Sequence, residues 1–216
     1  MNINGHEIAP GANLSNADLR GARLQGADLS NADLHGAQLE GADLTGCILI
    51  LTNLENAKLA GAKLDGAFIS GARLRGADLT RAKLTKADLT NANLESANLY
   101  QATLTNAVLS GANLIQANLN NAVMNGATLR GTYLQGAELI GANLRGANLG
   151  RLYLESGNQF DGYLRCTNLT NAHLNHAKLN FADLTFADFS GVNLSETDLG
   201  GADLTGAVLP DGSVHD

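Results

Sequence analysis

Leucine recurs at every fifth position of this chain, and small apolar and polar residues alternate around it with the same period. The central positions run from residue 14 to residue 209 in steps of five, which makes 40 blocks, and 36 of these centres are Leu. Two residues before the centre, 31 of the 40 positions are Ala. The repeat therefore reads Ala-Asp/Asn-Leu-x-x, and we call each block a pentad.

A five-residue period fits neither an α-helix nor a straight strand. Five residues advance a helix by about 500°, so the leucines would spiral around its axis. In a strand, an odd spacing would put successive leucines on opposite faces, although the Ala and Leu of one pentad share a face. The fifth residue of the pentad is mostly Gly or Asn, which tolerate a positive φ. The pattern predicts a solenoid that turns once per pentad, with Ala and Leu inside.

The sequence of the repeat resembles that of pentapeptide-repeat proteins, for example in Ala27-Asp28-Leu29-Ser30-Asn31 and in Gly111-Ala112-Asn113-Leu114. The resemblance covers about residues 11–210 and implies an all-β fold, a right-handed quadrilateral β-helix with four pentads per coil and about 10 coils. Residues 1–10 are then expected to form an N-terminal cap and residues 211–216 a short C-terminal tail. The closing segment 207–216 also resembles the tails of cyanobacterial members of the family, including a heterocyst-differentiation regulator.

An apolar stretch interrupts the polar outer positions near residue 50. Ile48 and Ile50 point outward in the pentad pattern, and Phe68, twenty residues after Ile48, should stack beside it one coil later. These residues predict an exposed apolar patch that binds a partner. Scattered surface hydrophobic residues without a function are the alternative interpretation.

A second departure lies in residues 151–162, where the middle pentad loses both Ala and Leu. A bulge or short loop is predicted there, and a tolerated insertion of one pentad is the alternative. The twenty-residue spacing also predicts that Tyr133, Tyr153 and His173 share one face. The adjacent face would carry three further apolar or aromatic residues, namely Tyr100, Ile140 and Phe160.

Aromatic residues make up only 4% of the chain, so their gathering in this part of the solenoid needs a reason. Protein interfaces favour Tyr and Phe, and we therefore expect a docking site that includes Tyr100, Tyr133, Tyr153 and Phe160. Chance clustering is the alternative.

The net charge of −7 is unevenly distributed along the chain. Residues 58–86 form a basic belt with seven basic and two acidic side chains, whereas residues 183–216 hold seven acidic and no basic ones. The belt lacks interleaved aromatic residues and belongs to an acidic protein, so a solvated face is a better interpretation than nucleic-acid binding. The belt consists of Lys58, Lys63, Arg73, Arg75, Arg81, Lys83 and Lys86.

The sequence offers no motif for catalysis, and no cofactor or metal is expected. The glycines are spaced as corners and not as a phosphate-binding loop before a helix. His173 and His176 have no Cys or third His beside them. We therefore expect a protein that is not an enzyme.

Compartment and disulfide expectations follow from the longest aliphatic run and from the cysteines. The run Cys47–Leu51 is five residues long, against about 20 for a membrane span, so no membrane association and a cytoplasmic location are expected. Cys47 and Cys166 should lie in coils two and eight, roughly 29 Å apart, which is too far for a disulfide.

Two functions remain after these exclusions. The preferred interpretation is a regulatory scaffold, a monomer or weak dimer, which binds a protein partner that the sequence does not identify. The alternative is a modulator of a type II topoisomerase that mimics DNA, since some pentapeptide-repeat proteins are similar in shape and charge to duplex DNA. A rod of this length would have to imitate about 28 phosphate charges, and the chain has a net charge of only −7. We therefore do not expect inhibition of gyrase at sub-micromolar concentration.

Overall fold

The computed structural model describes residues 2–150, 152–153, 159–160 and 162–216. Regular strands are short: β1 (Asn2–Ile3), β2 (His6–Glu7), β3 (Leu152–Tyr153) and β4 (Gln159–Phe160). The solenoid itself consists of single parallel bridges between residues twenty apart, beginning with Asn13 and Asp33. Because twenty residues are four pentads, each coil has four sides. The expected right-handed quadrilateral β-helix is confirmed.

Backbone hydrogen bonds explain why the period is five. The Leu14 amide donates to the carbonyl of Asp33 (2.7 Å), and the Asp33 amide donates to the carbonyl of Ala12 (2.9 Å). At the corner, the Ala17 amide donates to the Leu14 carbonyl (3.1 Å), and Asn16 has a φ of 57°. This is a β-turn whose third residue has a positive φ, the geometry that Gly and Asn adopt most readily.

The four sides are numbered by their first pentads: face 1 begins with residues 12–16, face 2 with 17–21, face 3 with 22–26 and face 4 with 27–31. The first and third residues of the pentads point inward, and nearly all of these Ala and Leu side chains are buried in one continuous core. The second and fourth residues lie on the faces, and the fifth forms the corner. Residues twenty apart therefore form a column along each face.

Polar residues that replace Ala in the core donate a hydrogen bond to the backbone. The Thr52 hydroxyl donates to the Leu29 carbonyl (2.8 Å), and the Cys47 thiol donates to the Leu24 carbonyl (2.7 Å). Burial raises the pKa of the Cys47 thiol to about 11. These departures from Ala leave the core intact, because each buried donor has a carbonyl acceptor. The acceptor lies in the preceding coil for Cys47, Thr52 and Thr167, and three residues earlier in the chain for Thr132.

A hairpin covers the N-terminal end of the solenoid. Strands β1 and β2 pair antiparallel and are connected by a turn of Asn4 and Gly5, whose φ angles are 51° and 82°. Ile3 packs against the core and Ile8 is buried. Asn-Gly between two short strands is a hairpin signal in the sequence, and our sequence analysis did not use it.

The C-terminal tail turns back along the last coil. Val208 and Val214 form an antiparallel bridge, and the His215 amide donates to the carbonyl of Ala207 (2.9 Å). The tail does not cover the whole end, since four leucines of the last coil remain partly exposed: Leu194, Leu199, Leu204 and Leu209.

The bridge spacing changes once, from twenty residues to thirty. Tyr133 pairs with Tyr163, and Asn148 pairs with Lys178. Ten residues are therefore accommodated outside the coil, at the corner between face 4 and face 1. Their described part is an antiparallel ladder of β3 and β4, in which Leu152 pairs with Phe160. We call residues 152–161 the insertion.

Candidate partner-binding surfaces

The insertion overturns the predicted column of Tyr133, Tyr153 and His173. Tyr133 is bridged to Tyr163, and His173 is bridged to Asn143. Tyr153 lies in β3, outside the coil. The twenty-residue rule is wrong here because it holds only where all of the intervening residues belong to the coil.

The predicted neighbourhood of Phe160 is wrong for the same reason. The Gly141 amide donates to the Thr170 carbonyl (3.0 Å), which places Thr170, and not Phe160, beside Ile140 on face 2. Phe160 belongs to β4 in the insertion. Tyr100 lies on face 2, half-buried, in an earlier coil.

Face 1 carries a stacked pair of tyrosines next to the insertion. The rings of Tyr133 and Tyr163 are 5.2 Å apart between centroids and 7° from parallel. The chain leaves the coil after Gly150 and re-enters it at Gly162, so the pair lies beside the root of the insertion. Tyr163 was not among the residues predicted from the sequence, although it occupies the same position in its pentad as Tyr133.

Aromatic side chains continue from this pair towards the corner of face 1. The Arg165 guanidinium lies over the ring of Phe186, 5.4 Å from its centroid, in the geometry of a cation–π contact. Phe186 is 54% exposed and occupies a corner with a φ of 58°. Its ring covers Gly206, where a Cβ atom would clash with it. We call Tyr133, Tyr163, Arg165 and Phe186 the aromatic face.

The predicted stacking at residue 48 is confirmed, since Ile48 and Phe68 are bridge partners on face 4. Phe68 is 50% exposed and Ile50 is 39% exposed. Leu51, at the neighbouring corner, is 60% exposed and has a φ of 57°. We call Ile48, Ile50, Leu51 and Phe68 the apolar patch.

The basic belt divides into a paired and an unpaired part. On face 1, Arg73 lies 3.3 Å from Glu55, and Arg75 lies 3.6 Å from Glu95. On face 3, Lys63 lies 3.5 Å from Asp43. Such exposed ion pairs contribute little to stability, but they neutralise the surface locally.

Apart from Lys58 on face 2, the unpaired part lies around one pentad of face 3. Arg81 donates to the side-chain oxygen of Gln101 (2.9 Å), a neutral acceptor. Neither Lys83 nor Lys86 pairs with a carboxylate in the part of the chain that the structure describes. Positive charge therefore remains uncompensated at this place.

Nearby carboxylates are engaged in local hydrogen bonds. Asp88 accepts bonds from the hydroxyls of Ser70 (2.8 Å) and Thr90 (2.6 Å). Burial raises the pKa of Asp88, but the hydrogen bonds from Thr90 and Ser70 outweigh burial and lower the pKa overall. Asp65 accepts a bond from the Thr85 amide (3.1 Å). These carboxylate oxygens accept hydrogen bonds from neighbouring groups on the faces of the solenoid, and they form no ion pair with Lys83 or Lys86.

Residues suited to chemistry are dispersed over the solenoid. Among the described residues, no three His, Cys, Asp or Glu side chains come together in a group that could hold a metal ion. The His176 ring lies 3.5 Å from the Glu196 carboxylate, at the corner of face 3. No helix in the described ranges is long and apolar enough to cross a membrane.

Comparison with known proteins agrees with this geometry. The sequence profile of pentapeptide repeats matches in eight copies, and the matched ranges cover residues 12–151 and 167–206. No curated protein matches the chain.

Two solved structures share the architecture. One is the crystal structure of HetL, a pentapeptide-repeat protein involved in heterocyst differentiation regulation in the cyanobacterium Nostoc sp. strain PCC 7120. The sequence of HetL is 36% identical to this chain, and the two structures superpose with a TM-score of 0.65. The match covers 89% of this chain and 91% of HetL. QnrB1, a plasmid-mediated fluoroquinolone resistance protein, is 19% identical with a TM-score of 0.67, over 81% of this chain and 84% of QnrB1, and at that identity it supports the fold alone. The chain belongs to the pentapeptide-repeat protein family.

Proposed function

We propose that this protein is a non-enzymatic, regulatory scaffold that binds a protein partner through the aromatic face and the adjoining insertion. The observation that carries the proposal is the stacked pair of Tyr133 and Tyr163 at the root of the insertion. The core is filled by Ala and Leu, so the fold does not need aromatic side chains on its outer positions. Aromatic residues and Arg are the residues that most often dominate binding energy at protein interfaces.

Two further observations support this role. HetL, at 36% identity, is a protein involved in regulation, which favours a regulatory function for this chain. Tyr153 and Phe160 belong to the insertion beside the aromatic face, and Tyr100 lies on the neighbouring face, so each of them could extend the contact. A monomer or weak dimer in the cytoplasm is part of the proposal. The two free cysteines are compatible with a reducing compartment.

The alternative, a DNA-mimicking modulator of a type II topoisomerase, ranks second. Lys83 and Lys86 place unpaired positive charge in the middle of the rod, where a DNA mimic needs negative charge. No specific feature of the described surface favours this alternative over a scaffold.

Replacing both tyrosines of the pair tests the proposal. We expect Tyr133→Ser with Tyr163→Ser to weaken partner binding by about 30-fold or more, because interface tyrosines often contribute 2 kcal/mol or more. The variant should lose only about 1 kcal/mol of folding stability, the typical contribution of a stacked aromatic pair. The measurement is a quantitative pull-down from a lysate of the organism that encodes the chain, with thermal unfolding measured in parallel.

Val108→Ser is the matched control, since Val108 is also a partly exposed apolar residue but lies on face 4. A second variant, Tyr153→Ser with Phe160→Ser, asks whether the insertion contributes. Equal recovery of all proteins by the wild type and the Tyr133/Tyr163 variant would contradict docking on the aromatic face.

A further inference from the structure

We propose a second docking surface, at the edge between faces 3 and 4 in coils two to four, which binds an acidic segment of a partner protein that also carries apolar side chains. The surface combines Lys63, Lys83 and Lys86 with Ile48, Ile50 and Phe68 of the apolar patch, and we call it the basic–apolar edge. The proposal rests on the scaffold function and adds to it the chemistry of a partner at a different site.

The lysines of this edge are close together. Lys63 and Lys83 are bridge partners in adjacent coils, so their backbones lie about 5 Å apart. Lys86 ends the pentad that contains Lys83, at the corner that leads to face 4. All three are exposed, and only Lys63 has a carboxylate within 4 Å among the described residues. Like charges in such a column repel one another, and the fold gains nothing evident in return.

The backbone conformation at Lys86 does not favour a lysine. Lys86 has a φ of 60°, which for a residue other than Gly, Asn or Asp is unfavourable. The same corner column holds Gly26, Gly46 and Gly66 in the three preceding coils, all with positive φ. Glycine would satisfy this corner without a conformational cost. Ten corners of the described chain carry a residue other than Gly or Asn at a positive φ, and Lys86 is one that pairs with no carboxylate of the described residues. Its ammonium group is therefore available to a partner.

The apolar patch adjoins these charges directly. Lys86 is two residues before Asp88, and Asp88 is the bridge partner of Phe68. Phe68 in turn is bridged to Ile48, so the apolar column begins one coil away from the lysine. A partner that covers Phe68 therefore lies within reach of a flexible lysine side chain at the corner.

Charge complementarity identifies the chemistry of the occupant. The chain has a net charge of −7 and is acidic in residues 1–57 and 183–216, whereas residues 58–86 are basic. Asp65 and Asp88 lie close to the lysines, but local amide and hydroxyl donors engage their oxygens. Glu or Asp side chains of a partner can therefore pair with Lys83 and Lys86 while its apolar side chains cover Phe68 and Ile50.

A defined peptide tests the proposal with the intact protein. The probe is a fluorescein-labelled decapeptide that alternates Glu and Leu, with binding measured by fluorescence anisotropy at low and at physiological salt. We expect binding that weakens as salt rises. Lys83→Glu with Lys86→Glu should weaken it by about tenfold or more, and so should Phe68→Ser with Ile50→Ser.

Matched controls separate this site from general effects. Lys178→Glu changes an exposed lysine of face 4 far from the edge, and Val108→Ser changes an exposed apolar residue of the same face; both should stay within about twofold of the wild type. A peptide with Gln in place of Glu should bind about tenfold more weakly. Thermal unfolding verifies that each variant is folded.

Three outcomes would overturn the proposal: no binding of the probe at about 100 μM, binding that is unaffected by the Lys83/Lys86 variant, or tighter binding of duplex DNA or phosphatidylserine vesicles than of the peptide. The Tyr133/Tyr163 variant should bind the peptide like the wild type. Failure at the basic–apolar edge is thereby distinguishable from failure at the aromatic face.

Discussion

At the scale of the residue, the corner position decides how much surface variety the solenoid can carry. Every regular corner needs a positive φ, which Gly and Asn adopt at little cost. Lys86 and Phe186 adopt the same angle although their side chains disfavour it. The long stacked core tolerates these costs because they are small beside the burial of its leucines. Bulky corner residues are therefore not explained by the fold, and we expect them to be the corner positions that serve function.

Replacing the lysine at its corner should stabilise the protein. We expect Lys86→Asn to raise the free energy of unfolding by about 0.5–1 kcal/mol, because Asn tolerates the left-handed region better than Lys does. Asn106 already occupies the next position of the same column. Lys83→Asn, on the flat part of the same pentad, is the control and should change stability by less than about 0.5 kcal/mol. Unfolding in urea measures both, and a loss of stability in Lys86→Asn would show that the lysine serves the fold.

The coil could be predicted from the sequence because a single rule is repeated: Leu and Ala fill the interior, and Gly or Asn forms the corner. The columns after residue 150 could not be predicted in the same way. The insertion is two pentads long, so the count of five continues through it. The loss of Ala and Leu in its middle pentad predicts a bulge or loop at this place, but it does not determine how many residues leave the coil. The stacking of Tyr133 on Tyr163 depends on where the chain leaves the coil, which the period alone does not determine.

At the scale of the element, the insertion is a local addition to an otherwise continuous coil. The bridges on either side of it keep the same pairing of faces, with Tyr133 on Tyr163 and Asn148 on Lys178. Gly162 marks the point of re-entry and occupies a position that is Ala in most pentads. A Cβ atom there would overlap the carbonyl oxygen of Leu149. The junction thus requires glycine for space and not for a positive φ.

Removing the insertion should leave the solenoid folded. Deletion of residues 152–161 places Tyr163 twenty residues after Tyr133 in the new chain, which is the regular spacing. We expect the free energy of unfolding to change by no more than about 1 kcal/mol, since closing a loop of this size has a small entropic cost. Circular dichroism and urea unfolding provide the measurement. A second variant with the ten residues replaced by Gly and Ser keeps the length of the loop as a control, and loss of cooperative unfolding in the deletion would contradict an insertion outside the coil.

At the scale of the whole molecule, the stacking order separates residues by a fixed distance per coil. Cys47 lies on face 4 of coil two and Cys166 at the corner of face 1 in coil eight, so five and a quarter coils lie between them, about 25 Å of stacked backbone at about 4.8 Å per coil. Both thiols are free, Cys47 buried and Cys166 exposed at a corner. The solenoid therefore separates the two thiols and also gives them different exposure to solvent.

Thiol labelling measures that separation. We expect one cysteine per folded chain to react rapidly with a maleimide at pH 7, namely Cys166. Burial and a pKa of about 11 leave Cys47 as an inaccessible thiol rather than a thiolate, and it should react only after unfolding. Cys166→Ser is the control and should abolish the rapid phase. Rapid labelling of both cysteines in native buffer would show that the core opens at coil two.

The insertion also has a consequence for how a gene of this kind can change its length. Twenty codons gained or lost in frame add or remove one whole coil and keep every later residue on its face. Five codons threaded into the coil would rotate everything downstream by a quarter turn, and ten codons by half a turn. The ten codons of the insertion would thus have moved Tyr163 from face 1 to face 3. Because these residues leave the coil instead, both halves of the rod stay in phase, and a corner is a place where the gene can acquire new sequence without rewriting the surfaces that follow.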